Sequence, residues 1–286
     1  MAHDEPAIMV EAGDGHRFEL IDIAPDAPDR MMLLLPGLGI SARNYIPFAR
    51  ALAARGTRTM IHEWRGTGAS NRRATDGDEW GYRELLELDI DASLRAVLER
   101  GNGDRTWLAG HSLGGQLACL AAARRTAASR GLVLIAAGAP YAAAYSWPMR
   151  PVLRFALRAF PWLASRLGHF PGRRIGFAGN ESAGVMRDWA RTGRTGRYDL
   201  DSLGFDPETA LQQLTCNVLA VRMADDRFAP PASLEWLLDK LPGCDVDREL
   251  VDARAQGVRA DHFGWLKRPG ACAETVADWL EATAGY

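Results

Sequence analysis

Gly110-His111-Ser112-Leu113-Gly114-Gly115 is the stretch of this 286-residue chain best suited to covalent chemistry. The residues before it, Arg105 to Ala109, make a short apolar, partly β-branched or aromatic run suited to a buried strand. Those after it, Gln116 to Arg125, are alanine-rich and helix-forming. A serine between strand and helix sits on a sharp elbow, where glycines two residues to either side remove the side chains that would collide. Ser112 is therefore expected to project from a sheet into a cleft. A helix beginning at Leu113 aims its free N–H groups and positive dipole end at any anion formed beside that serine.

A serine hydroxyl becomes a nucleophile when a base takes its proton and an acid holds the base in orientation. For an elbow of this kind the chain order is serine, acid, histidine. Of the six histidines, His3, His16, His62 and His111 precede or abut the serine, and His169 comes before any acidic strand end. His262, within Asp261-His262-Phe263-Gly264-Trp265, fits the order. The acid should follow a strand between Ser112 and His262. Asp225-Asp226 does so after Asn217–Met223, whereas the residues after Gly131–Ala137 offer no carboxylate. Asp226 is preferred because it stands four residues before Pro230, where the next helix opens; Asp225 then serves the turn. Two N–H donors are needed for an oxyanion. Leu113 supplies one, directly after the nucleophile, and Leu38, in Pro36-Gly37-Leu38-Gly39 after the strand Met31–Leu35, is expected to supply the other.

Those groups must be carried by elements that converge at strand ends. Ala7–Val10 and Arg17–Ile23 flank Gly13-Asp14-Gly15 and read as an edge hairpin. Met31–Leu35 is an apolar run buried on both faces; helical spacing follows through Tyr45, Phe48, Leu52 and Arg55, closed by Gly56. Thr57–Trp64 reads as a strand, Trp80–Arg100 as a helix, and Arg105–His111 as the strand feeding the elbow. This β-α-β-α rhythm implies an α/β fold, a parallel sheet with helices on both faces and active groups at the carboxyl ends of its strands. The rhythm lapses from 141 to about 208 and resumes with strand Asn217–Met223, helix Pro231–Leu241, strand Val246–Val251 and helix Ala271–Thr283. The expectation is a core of residues 1–140 and 209–286 with a helical lid, 141–208, inserted into it. Aromatic residues of the insertion are expected to pack it onto the body or line an acyl pocket.

Composition narrows the classes further. A net charge of −2 and 47% hydrophobic residues describe an ordinary globular protein with no global electrostatic case for nucleic acid. Cys119, Cys216, Cys244 and Cys272 have no metal-ligand spacing and read as reduced thiols. No metal or cofactor is called for. Acidic residues at the N-terminus, with no apolar run after them, argue against a signal peptide, and Leu132–Tyr145 is too short to span a bilayer. A cytoplasmic location is expected. Glu63-Trp64-Arg65-Gly66-Thr67-Gly68-Ala69-Ser70 lacks the Lys-Ser/Thr of a phosphate loop and reads as a structural loop shaping the cleft. The arginines of the insertion outnumber its acids, which reads first as solvated faces and second as attraction for an anionic substrate.

Taken together, the segments Pro36–Gly39, Trp64–Ser70, Gly110–Gly115, Asp225-Asp226 and Asp261–Trp265 resemble the α/β-hydrolase superfamily. Within it the chain is similar to bacterial hydrolases related to serine aminopeptidases and monoacylglycerol lipases. The resemblance implies an eight-stranded, mostly parallel sheet and a Ser112, Asp226, His262 triad. Arg222-Met223-Ala224 departs from the relatives, many of which carry a glycine before the aspartates. The expected activity is hydrolysis of a small-molecule carboxylic ester, thioester or small lipid ester through an acyl-enzyme. Acyl transfer or carbon–carbon bond hydrolysis by the same triad, and a catalytically silent binding module, are the alternatives.

Overall fold

The computed structural model describes residues 5–100, 106–125, 129–200 and 202–283. The first strands, β1 (Ala7–Glu11) and β2 (Arg17–Ile23), form the expected antiparallel hairpin at one edge. Then come β3 (Arg30–Leu35), helix α1 (Ile46–Ala53), β4 (Thr57–His62), α2 (Asp91–Leu98), β5 (Thr106–His111), α3 (Leu113–Arg124) and β6 (Gly131–Ile135). Residues between β6 and the next sheet strand contain α4 (Met149–Leu167), a ribbon of β7 (His169–Pro171) and β8 (Asn180–Ser182) joined through α5 (Gly172–Ile175), then α6 (Ala183–Thr195) and α7 (Pro207–Gln213). The chain closes with β9 (Asn217–Met223), α8 (Pro231–Leu238), β10 (Asp245–Val251), α9 (Ala253–Gln256) and α10 (Gly270–Thr283).

Eight strands pair in the order β1-β2-β4-β3-β5-β6-β9-β10, and every pairing from β4 to β10 is parallel. Met31–Leu35 of β3 and Leu132–Ile135 of β6 are apolar at every position because both faces are covered. Met31, Leu33 and Leu35 of β3 face the side occupied by α2, α3, α7 and α8, while Met32 and Leu34 face α1 and α10. Leu132 and Leu134 against Val133 and Ile135 repeat the alternation on β6. This is the α/β-hydrolase arrangement, with loops at the carboxyl ends of β3, β5, β9 and β10 all opening on one edge.

Several expected boundaries shift. Thr57–Trp64 ends at His62, since Glu63 and Trp64 turn their side chains toward the loop after β3. Trp80–Arg100 is not one helix. Glu84–Ile90 is wound with the wider π spacing before α2 begins, and inside it the buried Asp89 faces inward to His16 and Arg65. Periodic apolar residues signal both windings alike. Arg105 of the strand feeding the elbow lies outside the described residues. The segment expected as a helical lid, 141–208, also contains the β7–β8 ribbon, whose three-residue strands are too short to show alternation. Cys216 and Cys244, far apart in sequence, immediately precede the neighbouring strands β9 and β10 with their sulfurs 3.7 Å apart, both as free thiols.

Candidate active site

β5 turns into α3 through Ser112, whose φ of 55° and ψ of −120° are rare for a residue with a side chain. Such a conformation costs about 1–3 kcal/mol and persists only where neighbours over-determine it. Here they do. A Cβ on Gly110 would stand 2.2 Å from the carbonyl oxygen of Gly114, and one on Gly114 would stand 2.1 Å from that of Leu35. The glycines are therefore required by backbone-to-backbone contact, and α3 starts hard against the end of β3.

Three of the five residues singled out for chemistry form one hydrogen-bonded line. Ser112 Oγ lies 2.9 Å from His262 Nε2, and His262 Nδ1 lies 2.8 Å from Asp226 Oδ2. With Nδ1 donating to the carboxylate, Nε2 is left as acceptor for the serine hydroxyl. The other oxygen of Asp226 accepts the backbone N–H groups of Phe228 and Ala229 at 2.8 and 2.9 Å, which fixes the carboxylate in place. Asp225 points elsewhere and accepts the N–H of Ala260 at 3.2 Å, tying the turn after β9 to the loop that carries His262. Asp226 and His262 are both buried, and Leu38 and Leu113 line the same cavity as Ser112 and His262.

His111 and Tyr45 carry a second chain of hydrogen bonds behind this line. Gly37 N–H donates to Tyr45 Oη at 2.7 Å, Tyr45 Oη pairs with His111 Nδ1 at 2.7 Å, and His111 Nε2 pairs with the carbonyl of His262 at 3.0 Å. Only one direction satisfies every group: the tyrosine hydroxyl donates to Nδ1, and Nε2–H donates to the carbonyl. That requires a neutral imidazole, and burial holds the His111 pKa well below its ordinary value. One buried histidine thus joins the elbow, the His262 loop and, through Tyr45, the loop that carries Leu38. In the sequence His111 abuts the serine and so falls outside the expected chain order, and Tyr45 reads as one more residue on a helix face.

The Glu63–Ser70 loop braces the same segment from the other side. Trp64 Nε1 donates to the Pro36 carbonyl at 2.9 Å; the Glu63 carboxylate accepts from Ala42 N–H, Ser41 Oγ and Thr67 Oγ1 at 3.1, 2.9 and 2.6 Å. Arg65 is held between Asp89 and Asp14. The loop holds its neighbours through its side chains.

Above Ser112 lies a cavity of about 320 Å³. Its walls come from the β3 loop and α3 below, from Phe228 and Phe263 beside His262, and from Leu153, Phe160, Phe177 and Trp189 of the segment between β6 and β9. The one formally charged side chain among its described lining residues is Arg227. Among the described residues no cluster of three or more His, Cys, Asp or Glu is arranged to hold a metal ion.

The fold is shared with several bacterial enzymes at low identity. A thermophilic esterase from Thermogutta terrifontis aligns over 97% of this chain and 98% of its own at 16% identity, with a TM-score of 0.66. An esterase from Exiguobacterium antarcticum gives 0.66 at 18% identity, over 96% and 100% of the two chains. A bacterial membrane phospholipase A gives 0.65 at 19% identity, over 98% and 87%. The family model for serine aminopeptidase, S33, matches residues 26–253, and the chain belongs to that family of α/β-hydrolases.

Proposed function

We propose that this chain is a serine hydrolase that cleaves carboxylic esters carrying an apolar group, with Ser112 as nucleophile, His262 as base and acid, and Asp226 as the orienting carboxylate. The observation that carries the reading is the Ser112–His262–Asp226 hydrogen-bonded line at the floor of an apolar cavity. Ester in place of peptide follows from the lining. An aminopeptidase must hold a substrate ammonium, and among the described residues lining the cavity there is no carboxylate to do so.

In the reading proposed, Ser112 Oγ attacks the ester carbonyl as its proton passes to His262 Nε2. Asp226 stabilises the imidazolium through Nδ1–H without taking the proton. The carbonyl oxygen becomes an oxyanion held by the N–H groups of Leu38 and Leu113, the latter at the positive end of α3. Collapse breaks the bond to the alcohol oxygen, which leaves with the proton from Nε2 and yields an acyl-enzyme. Water then attacks the acyl carbon, giving its proton to Nε2, and a second collapse returns that proton to Ser112 and frees the acid. Each donor is worth about 2.7–4 kcal/mol of transition-state stabilisation. The segment at 141–208 acts as the lid, since its side chains close the cavity opposite the serine. A short acyl group or half of a longer chain fits about 320 Å³.

The test is intact-mass detection of fluorophosphonate labelling on wild type, Ser112→Ala and His262→Ala, alongside hydrolysis of p-nitrophenyl esters of increasing acyl length. A single adduct on wild type, absent from the serine variant and slowed at least a hundredfold in the histidine variant, supports the reading. Undiminished labelling or ester turnover by Ser112→Ala would refute it.

A further inference from the structure

The outer face of α4 has no partner among the described residues although it is rich in large apolar side chains. Trp147, just before the helix, is 82% exposed, and Phe155 and Trp162 are 72% and 59% exposed. Val152, Leu167 and Ile175 are exposed as well. At about 100° per residue, Val152, Phe155 and Trp162 fall within an arc of roughly 80° on the helix surface. Contiguous exposed apolar surface of this kind marks an interaction site.

The charge of the segment is equally one-sided. From 141 to 180 there are six arginines, at 150, 154, 158, 166, 173 and 174, and no aspartate or glutamate. Arg154, Arg158 and Arg166 of α4 are exposed, and the Arg166 guanidinium sits 5.4 Å from the centre of the Trp162 ring. The nearest acids in sequence face inward: Glu181 is buried and Asp188 accepts the N–H of Tyr82. A helix with tryptophan and phenylalanine on its apolar arc, Arg166 among them and Arg154 and Arg158 along one flank, suits the headgroup region of a lipid layer. The absence of acids from this stretch makes that layer an anionic one.

We propose that the outer face of α4, with Trp147 and the Arg173-Arg174-Ile175 corner, docks this protein on anionic lipid surfaces. No described helix is long and apolar enough to cross a membrane, so the contact is peripheral. Docking would also set the supply of substrate. Met149, Leu153 and Ala156 face the cavity, Val152 belongs both to its lining and to the exposed arc, and Gly176 after Ile175 lines it as well. Val152 and Gly176 thus connect the docking face to the cavity wall, and an amphiphilic ester embedded in the lipid layer reaches Ser112 along them without crossing water. That last step rests on the hydrolase reading; the docking does not.

Sedimentation with extruded vesicles tests it, using wild type and Ser112→Ala on pure phosphatidylcholine and on phosphatidylcholine with 30% phosphatidylglycerol. Both proteins should bind the anionic vesicles at least tenfold more tightly than the neutral ones, and 0.5 M NaCl should weaken that binding severalfold. Arg154→Glu/Arg158→Glu and Phe155→Ser/Trp162→Ser should each lower it at least tenfold. None of these four residues lines the cavity, so fluorophosphonate labelling of Ser112 in solution should stay within twofold, which also shows that the variants are folded. No binding, equal binding to neutral vesicles, or binding untouched by both double variants would overturn the proposal. So would a stable dimer in light scattering that Phe155→Ser/Trp162→Ser dissociates, because a second copy would then cover the face. Loss of labelling in wild type with vesicle binding intact would count against the serine chemistry alone.

Discussion

Removing one oxygen atom at Tyr45 tests whether the chain behind the serine matters to catalysis. Tyr45 is fully buried, and its hydroxyl accepts from Gly37 and donates to His111, both at 2.7 Å. In Tyr45→Phe both partners stay buried without a mate, and each orphaned group costs about 1–3 kcal/mol. After partial relaxation the fold should lose about 2–4 kcal/mol, read as a lower urea midpoint with unchanged slope. The kinetic effect comes through Gly37, whose neighbour Leu38 is the proposed oxyanion donor. Deleting such a donor costs about 10²–10³ in kcat, and loosening it should cost about ten- to a hundredfold. Tyr45 does not line the cavity, so KM for a dissolved p-nitrophenyl ester should move by no more than about threefold. The fluorophosphonate labelling rate should fall with kcat. Full kcat in a destabilised Tyr45→Phe would show that the hydroxyl only fills and satisfies the core; full kcat with full stability would refute the hydrogen-bond chain itself.

Other substitutions separate neighbouring roles. Asp226→Asn should lower kcat by about 10³–10⁴ because the amide favours the wrong histidine tautomer, whereas Asp225→Asn should stay within about threefold; comparable losses in both would break the assignment. Ser112→Gly should be more stable than Ser112→Ala by about 1 kcal/mol in urea, since glycine adopts a φ of 55° without strain. Burial pushes the Glu181 carboxyl up to about 7, against an accepted hydrogen bond from Gly179 and the nearby Arg173, which lower it. The native state therefore holds this proton more tightly than the unfolded chain, and the associated stability is fully present below about pH 4.5 and lost as pH rises to about 7. Glu181→Gln should flatten that decline in a urea series from pH 4.5 to 8; an unchanged slope would show that another group titrates.

What could be read without coordinates was what local chemistry dictates. Met31–Leu35 and Gly131–Ile135 announce themselves because strands covered on both faces must be apolar throughout. The elbow is legible because backbone contact leaves only glycine at 110 and 114; once it is recognised, chain order points to His262 and to Asp225-Asp226, and the spacing to Pro230 favours Asp226 of the two. Tyr45 and His111 were not legible. They lie 66 residues apart, and a buried hydroxyl leaves no periodic trace. Aromatics in the 141–208 stretch share one composition but not one fate: Phe160, Phe177 and Trp189 reach the cavity wall, while Trp147, Phe155 and Trp162 face outward. Only the winding of α4 and its packing on α6 sort them.

The inserted segment and the loop carrying Leu38 are built as neighbours without slack. A Cβ on Gly39 would lie 1.9 Å from the backbone nitrogen of Gly179, so the two chains touch main chain to main chain. Glu181 accepts the same Gly179 N–H, while Ser182 Oγ accepts from Trp80 N–H and a Cβ on Gly184 would meet the Trp80 carbonyl at 2.3 Å. On its far side the Leu38 loop is gripped by Glu63, Trp64 and Tyr45. A loop clamped on both sides cannot follow the insertion outward unless a contact breaks, because packed backbones shift between discrete arrangements, not continuously. Seating of the insertion and placement of the proposed oxyanion donor are thus one structural variable.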